Sequence, residues 1–287
     1  MPGSRVILDG RGLLECPRWR DGWLYMSDFA LGEICRLSMS GTVEVVAEVP
    51  TVPGGLGWTP EGELRAVSMY DLKLLGGRDG RLEPVADLSI VASFRTNDMV
   101  MSGTGVAYIG QFGYDLFNPA EQPRRSPLIG VTSSGTVFTA AADLFLANGL
   151  VITDEGRTLL VAETLSHQIT SFAIDSDGTL GRRDVWAPLP EGSRPDGICL
   201  DAAGCVWIAC TGLRRYLRVA RGGRVLAEIA ADAEHVFACA LGGPDRRTLF
   251  MLMGDQPGRA AIGNPDVPRT SRIAAAQVDV PGVYGQP

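Results

Sequence analysis

The sequence predicts an all-β, six-bladed β-propeller. Short strand-like runs are separated by Gly and Asp turns, and one strand–turn–strand pattern recurs six times. Its copies start roughly 40–50 residues apart, the period of a four-stranded blade. The whole chain, 1–287, is expected to form this single domain.

The runs come in chain order as "GTVEVVAEV", "GELRAVSM", "GVAYIGQF", "RTLLVAET", "CVWIAC" and "RTLFMLM". Alternation and β-branched residues dominate them, and no stretch sustains helical periodicity. "NGLVITDEGRTLLVAET" from Asn148 serves as template, with its turn at Asp154-Glu155-Gly156. The copies from Asp196, Gly54 and Asn97 align on it without a gap, placing Gly204, Gly62 and Gly105 at the turn. The copy from Ala238 carries Arg246 there, and the copy from Glu15 is one residue shorter before Gly22.

In a propeller the innermost strand of each blade lines a central channel. The first residues of the copies should therefore form a ring: Glu15, Gly54, Asn97, Asn148, Asp196 and Ala238. Taken singly, an Asn or Asp before Gly is ordinary turn chemistry. Gathered at one level of a channel, polar side chains are costly unless something satisfies them. Two carboxylates and two amide oxygens suit a hard divalent cation held by Glu15, Asn97, Asn148 and Asp196. Ca²⁺ is the leading candidate, with Mg²⁺, Mn²⁺ or Zn²⁺ as alternatives. Small residues at Gly54 and Ala238 are expected to leave that side open for a ligand.

Composition narrows the chemistry further. With two histidines and one lysine, a His-rich zinc or iron site is excluded, and Schiff-base chemistry has only Lys73. A net charge of −7 gives no footprint for nucleic acid or an anionic membrane. No apolar run reaches membrane-spanning length, and no signal-peptide pattern opens the chain, so a cytoplasmic protein is expected. The six cysteines lack paired CxxC spacing and read as buried free thiols.

The segments "LLECPRW", "GGLGWTPEG", "FRTNDMV", "LANGLVIT", "VAET", "RPDGICLDAAGCVWIAC" and "FACALGGPDRRTLF" resemble, in this order, the SMP-30/gluconolactonase/luciferin-regenerating-enzyme family of six-bladed propellers. The resemblance runs from about Leu14 to Met253. It implies one divalent cation on Glu15, Asn148 and Asp196, with Asn97 touching substrate or completing the shell, and Arg95 holding polar substrate. It also implies hydrolysis of lactones such as sugar-acid lactones, some relatives hydrolysing phosphotriesters. Two positions depart from the family pattern: Gly54, where bacterial relatives often carry Ser, and Gln111 in "IGQFGYD", where Asn is usual. Both are expected to face or border the channel, with Gln111 a substrate contact.

Asp196 is the expected general base, beside a water and kept ionised by the cation. Asp98 follows Asn97 and should point to the opposite face of the strand, as a supporting residue. His235, ahead of the sixth inner strand, is expected to overlook the mouth and meet substrate. Glu163, at the end of "VAET", reads equally as a rim residue or a strand-end charge, and His167 as an exposed polar residue. The long stretches 117–127 and 255–271 are candidate lids. The expected activity is a metal-dependent lactonase acting on a small lactone or ester. The alternatives are a non-catalytic calcium-binding propeller, or a phosphotriesterase or isomerase using the same ion. Oligomeric state is not legible.

Overall fold

The computed structural model describes residues 3–255 and 258–283. Six four-stranded antiparallel sheets succeed one another along the chain as blades 1 to 6. Their first strands are Leu14–Arg20, Pro53–Trp58, Thr96–Met101, Ala147–Thr153, Pro195–Leu200 and His235–Gly242. First strands of successive blades touch, and that of blade 6 touches that of blade 1, so the inner ring closes as predicted.

Closure comes from the N-terminal end. Arg5–Arg11 pairs antiparallel with Ser271–Gln277 and becomes the fourth strand of blade 6. The N-terminal strand and the last strand of the chain are thereby paired in one sheet, the N-terminal strand forming its outer edge. Among the described residues the helical content is slight, including one short turn at Gly258–Ala261.

Burial follows from position in the blade. Second strands are sealed on both faces: Val206–Cys210 is buried at every residue, matching its unbroken apolar sequence. Outer strands such as Arg81–Asp87 are largely exposed and correspondingly polar. Apolar clusters fill the wedges between blades; Leu14, Leu24 and Met26 of blade 1 pack with Phe250, Leu252 and Ile273 of blade 6.

The hairpin between first and second strands explains the repeated glycine. Gly22, Gly62, Gly105, Gly156 and Gly204 all have φ between 72° and 93°, where a Cβ is unfavourable. Arg246, the substitute in blade 6, has a left-handed backbone too, at φ 56°.

A regularity absent from the sequence reading runs through all six blades. Near the upper end of every first strand the register against the second strand slips. In blade 4, for example, Ala147 faces Glu163 but Leu150 faces Val161, so two residues, Asn148 and Gly149, oppose one. A bulge of this kind bends the strand and re-aims a side chain.

Candidate metal centre

The bulges lie at the ring. Asn97, Asn148 and Asp196 each fall between the last regular pair above and the first below, and Glu15 directly precedes the bulge of blade 1. A glycine beside the ring position brings adjacent blades together. A Cβ on Gly149 would fall 2.7 Å from the Asp196 carbonyl oxygen and 2.7 Å from the Ile198 nitrogen. One on Gly197 would fall 2.4 Å from the Ala238 Cβ. These glycines serve the approach of blade to blade.

Blade 6 corrects the sequence alignment. Val236 faces Met253 and Ala238 faces Leu252, leaving Phe237 as the bulged residue and therefore the ring position. The reason is the hairpin: residues 243–247 separate the paired ends Gly242 and Thr248, whereas 154–157 separate Thr153 and Thr158 in blade 4. That extra residue displaced the count by one. Ala238 instead takes the place of Gly149 and Gly197, against the neighbouring blade. The ring is thus Glu15, Gly54, Asn97, Asn148, Asp196 and Phe237, open only at Gly54 and walled by an aromatic ring at blade 6.

Glu15 and Asp196 electrify the site. Burial and then the neighbouring Asp196 charge push the Glu15 carboxyl well above its ordinary value. Burial raises Asp196 to about 8, against the lowering effect of a hydrogen bond from Asn148, with the charge of Asp98 adding to the rise. The Asn148 Nδ2 also reaches Thr164 Oγ1 at 3.4 Å, and Thr164 in turn donates to the Pro195 carbonyl at 2.8 Å. With its nitrogen engaged, Asn148 has Oδ1 left to offer the channel. Asn97 is 5% exposed and its amide makes no hydrogen bond with a described residue.

This donor set fits a hard divalent cation. Two carboxylates that resist ionising together favour a nearby positive charge, and the Asn97 amide, without a partner among the described residues, is free to offer an oxygen. Among the described residues no three His, Cys, Asp or Glu side chains form a group that could hold a metal ion, so amide or carbonyl oxygens or water would have to complete any shell.

Asp98, bulged together with Asn97, stays close enough for its charge to act on Glu15 and Asp196, and its carboxylate is held by Arg18. Its Oδ1 accepts from Arg18 at 2.7 Å and from its neighbour's N–H, that of Met99, at 2.8 Å. The Arg18 guanidinium also donates to the carbonyls of Leu56, at 3.1 Å, and Met99, at 2.5 Å. It thereby ties blades 1, 2 and 3 together. Below it a cavity of about 550 Å³ opens at the far end of the channel, lined by Arg18, Trp58, Leu150, Cys199 and Leu241 among others.

Gln111, expected to meet substrate, has its side chain engaged inside the protein. It is fully buried, its Oε1 accepts the Ser93 N–H at 2.9 Å, and its Nε2 donates to the Pro127 carbonyl at 2.8 Å. Every polar atom of the side chain is committed within blade 3. Equivalent residues at the end of the second strand do the same work elsewhere. Asp28 accepts from the Leu13 N–H at 3.0 Å, Ser68 bonds to the Thr51 hydroxyl, and Glu163 accepts from the Phe145 N–H at 2.8 Å. In each case a buried acceptor buckles down the loop that leads into a ring residue. Glu163 also binds Arg183 at 2.9 Å and the Thr170 hydroxyl at 2.5 Å. The signal in the sequence was a polar residue at a fixed place in four copies: Asp28, Ser68, Gln111 and Glu163.

Arg95 and His235 occupy the level above the ring. The Arg95 guanidinium stacks 4.3 Å over Tyr70, and no described residue forms an ion pair with it. His235 stacks on Phe237 with ring centroids 6.2 Å apart. His167 is set in a turn, its Nδ1 accepting the Arg194 N–H at 3.2 Å. Residues 256–257 of the stretch 255–271 lie outside the described residues. The rest is packed across the mouth: Ala261 is fully buried, the Gly263 N–H donates to the Phe29 carbonyl at 2.8 Å, and the Tyr70 hydroxyl donates to the Ile262 carbonyl. Ala261 and Val267 share one apolar cluster with Leu13, Val52 and Phe237. Residues 117–127 hold to blade 3, with Arg124 bonded to the Gly113 carbonyl at 2.9 Å.

Comparison with known proteins agrees with this architecture. The chain is 29% identical over 283 residues to 6-deoxy-6-sulfogluconolactonase of Pseudomonas putida, covering 96% of this chain and 95% of that one. It is 25% identical to pentonolactonase XacC of Haloferax volcanii, over 93% of this chain and 90% of the relative. Its fold matches the crystal structure of a calcium-binding protein, regucalcin, from Agrobacterium tumefaciens. That match has a TM-score of 0.80 at 21% identity, covering 98% and 96% of the two chains. No helix among the described residues is long and apolar enough to cross a membrane. Residues 13–254 match the model of the SMP-30/Gluconolactonase/LRE-like region, and the chain belongs to that family.

Proposed function

We propose that the protein is a divalent-cation-dependent lactonase that opens a small, polar lactone such as a sugar-acid lactone. The observation that carries the reading is the ring itself: Glu15, Asn97, Asn148 and Asp196 occupy equivalent places at the bulges of four inner strands, two of them carboxylates that raise each other's proton affinity. The lactonase names of the two relatives support the reaction class.

Glu15, Asn148 and Asp196 would hold the cation, with Asn97 completing the shell or meeting substrate. When bound, the ion supplies a Lewis acid for the lactone carbonyl and for the charge that develops on its oxygen. Asp196 takes the proton from the attacking water at its carboxylate, and the hydrogen bond from Asn148 fixes the orientation of that carboxylate. Arg95, with no competing carboxylate, offers its guanidinium to hydroxyl or anionic groups of the substrate at the mouth. Phe237 gives the ring plane an apolar wall, His235 stands above it, and the segment over the mouth limits water.

The test is a panel of aldonolactones and simple esters run on metal-stripped protein with Ca²⁺, Mg²⁺, Mn²⁺ or Zn²⁺ restored singly. Lactone hydrolysis should be lost on stripping and return with a divalent ion. Absence of turnover in every metal state, with the ion raising only the melting temperature, would favour a calcium-binding propeller without catalysis.

A further inference from the structure

Two cysteines in the apolar wedge between blades 5 and 6 stand face to face. Cys199 lies on the first strand of blade 5 and Cys239 on that of blade 6, with their sulfurs 3.7 Å apart. The Cys239 thiol also points at the carbonyls of Trp207, at 3.5 Å, and Gly197, at 3.8 Å. The strands carrying the pair nearly touch just above it, where Gly197 leaves room for Ala238 and no more. Such backbone proximity is the condition for a disulfide, whose sulfurs need close by a further ~1.7 Å to reach a bond of about 2.05 Å.

Access is asymmetric. Cys199 lines the ~550 Å³ cavity at the far end of the channel and is 9% exposed, whereas Cys239 is 2% exposed behind it. A small oxidant entering the cavity meets Cys199 first, with Cys239 already in place to resolve the product. The other four cysteines are buried as well. Cys16 and Cys35 belong to blade 1, and Cys205 is turned toward the Ala203 carbonyl.

We infer that Cys199 and Cys239 form a peroxide-reactive dithiol that closes into a disulfide joining the inner strands of blades 5 and 6. In the first step the Cys199 sulfur attacks one oxygen of a hydroperoxide. The O–O bond breaks, Cys199 becomes a sulfenic acid, and the leaving oxygen departs as water or an alcohol with the thiol proton. In the second step the Cys239 sulfur attacks the Cys199 sulfur. The S–O bond breaks, the S–S bond forms, and water leaves with the Cys239 proton. The pair gives up two electrons and the hydroperoxide receives them. The result is a covalent tie three residues from Asp196, on the strand that presents it.

Hydrogen peroxide added to the reduced, folded, full-length protein tests this. Thiols are then counted after denaturation, and the peptides are mapped by mass. The expected result is loss of two of the six thiols, a Cys199–Cys239 cross-link in the map, and recovery of both thiols with dithiothreitol. The Cys239→Ser variant should stop at a sulfenic acid on Cys199 that dimedone traps. Six thiols persisting in the treated wild type, oxidation of Cys199 beyond sulfenic acid without a cross-link, or a cross-link through Cys210 would each overturn the assignment.

Discussion

The carboxylate of Glu163 accepts the backbone N–H of Phe145 at 2.8 Å, three residues ahead of Asn148. It is fully buried; burial opposes ionisation, but the hydrogen bonds and the Arg183 charge outweigh it and hold its pKa below the ordinary carboxylate value. Glu163→Ala removes all of these partners' acceptor at once. Unfolding in urea should show a loss of about 3 kcal/mol. Divalent-cation affinity should fall as well, because the loop that sets Asn148 is released. Glu163→Gln keeps an acceptor for Phe145 and should lose less on both counts.

Asp196 is proposed as both ligand and base, so its amide should separate folding from chemistry. Asp196→Asn is expected to lower kcat for lactone hydrolysis by roughly 10²–10⁴-fold. The same variant should melt higher than the wild type at pH 8 once metal is stripped from both, since a resisted buried charge is gone. Activity assays and thermal melts in chelator check the two arms. Full turnover in the variant would remove Asp196 from the mechanism.

The raised carboxyls set the pH dependence of the metal-free protein. An unfolded Asp ionises near 3.9, whereas Asp196 in the fold holds its proton to about 8. The unfolded state therefore binds fewer protons across this window, and stability falls as pH rises through it. The slope is up to about 1.4 kcal/mol per pH unit for one group, levelling above the folded value. Glu15, also raised, acts in the same direction. Melting temperatures in chelator should decline from pH 5 to pH 8, and a divalent ion should restore most of the loss at pH 8. A metal-free melting temperature that climbs with pH would contradict this account of the site.

Arg95 and Gln111 stood together in the sequence reading and should part in experiment. Arg95→Ala removes an unpaired guanidinium from the mouth. It should raise KM about tenfold, equivalent to about 1.4 kcal/mol, with little change in unfolding. Gln111→Ala strands the Ser93 N–H and the Pro127 carbonyl in the interior. It should cost about 1–3 kcal/mol of stability, read by urea unfolding.

The blades were legible because a repeat multiplies weak evidence: one strand–turn–strand pattern is ambiguous, whereas six at a steady spacing are not. Glu15, Asn97, Asn148 and Asp196 could be placed at one level by counting from Gly22, Gly105, Gly156 and Gly204. Counting from the turn misleads in blade 6, whose hairpin is a residue longer, so that Phe237 and not Ala238 holds the ring position. The bulges escaped notice because they leave strand composition unchanged and change only what faces what. Gln111 shows a related limit of local pattern: a lone polar residue at a strand end gives no sign of buried partners such as Ser93 and Pro127. The closing strand Arg5–Arg11 pairs with Ser271–Gln277, a contact between distant segments that no local pattern announces.

The Arg18–Asp98 pair gives the central channel a floor. Its guanidinium, 12% exposed, is fastened to three blades between the ring and the lower cavity. A molecule that passes Asp196 from the mouth meets this bridged pair before the lower cavity. On the proposed reading, a ring-opened acid carries one more negative charge than its lactone and would meet Arg95 on its way back through the mouth. A residue that draws the substrate in would then also slow the product's departure, and turnover would be governed at the threshold as much as at the ring.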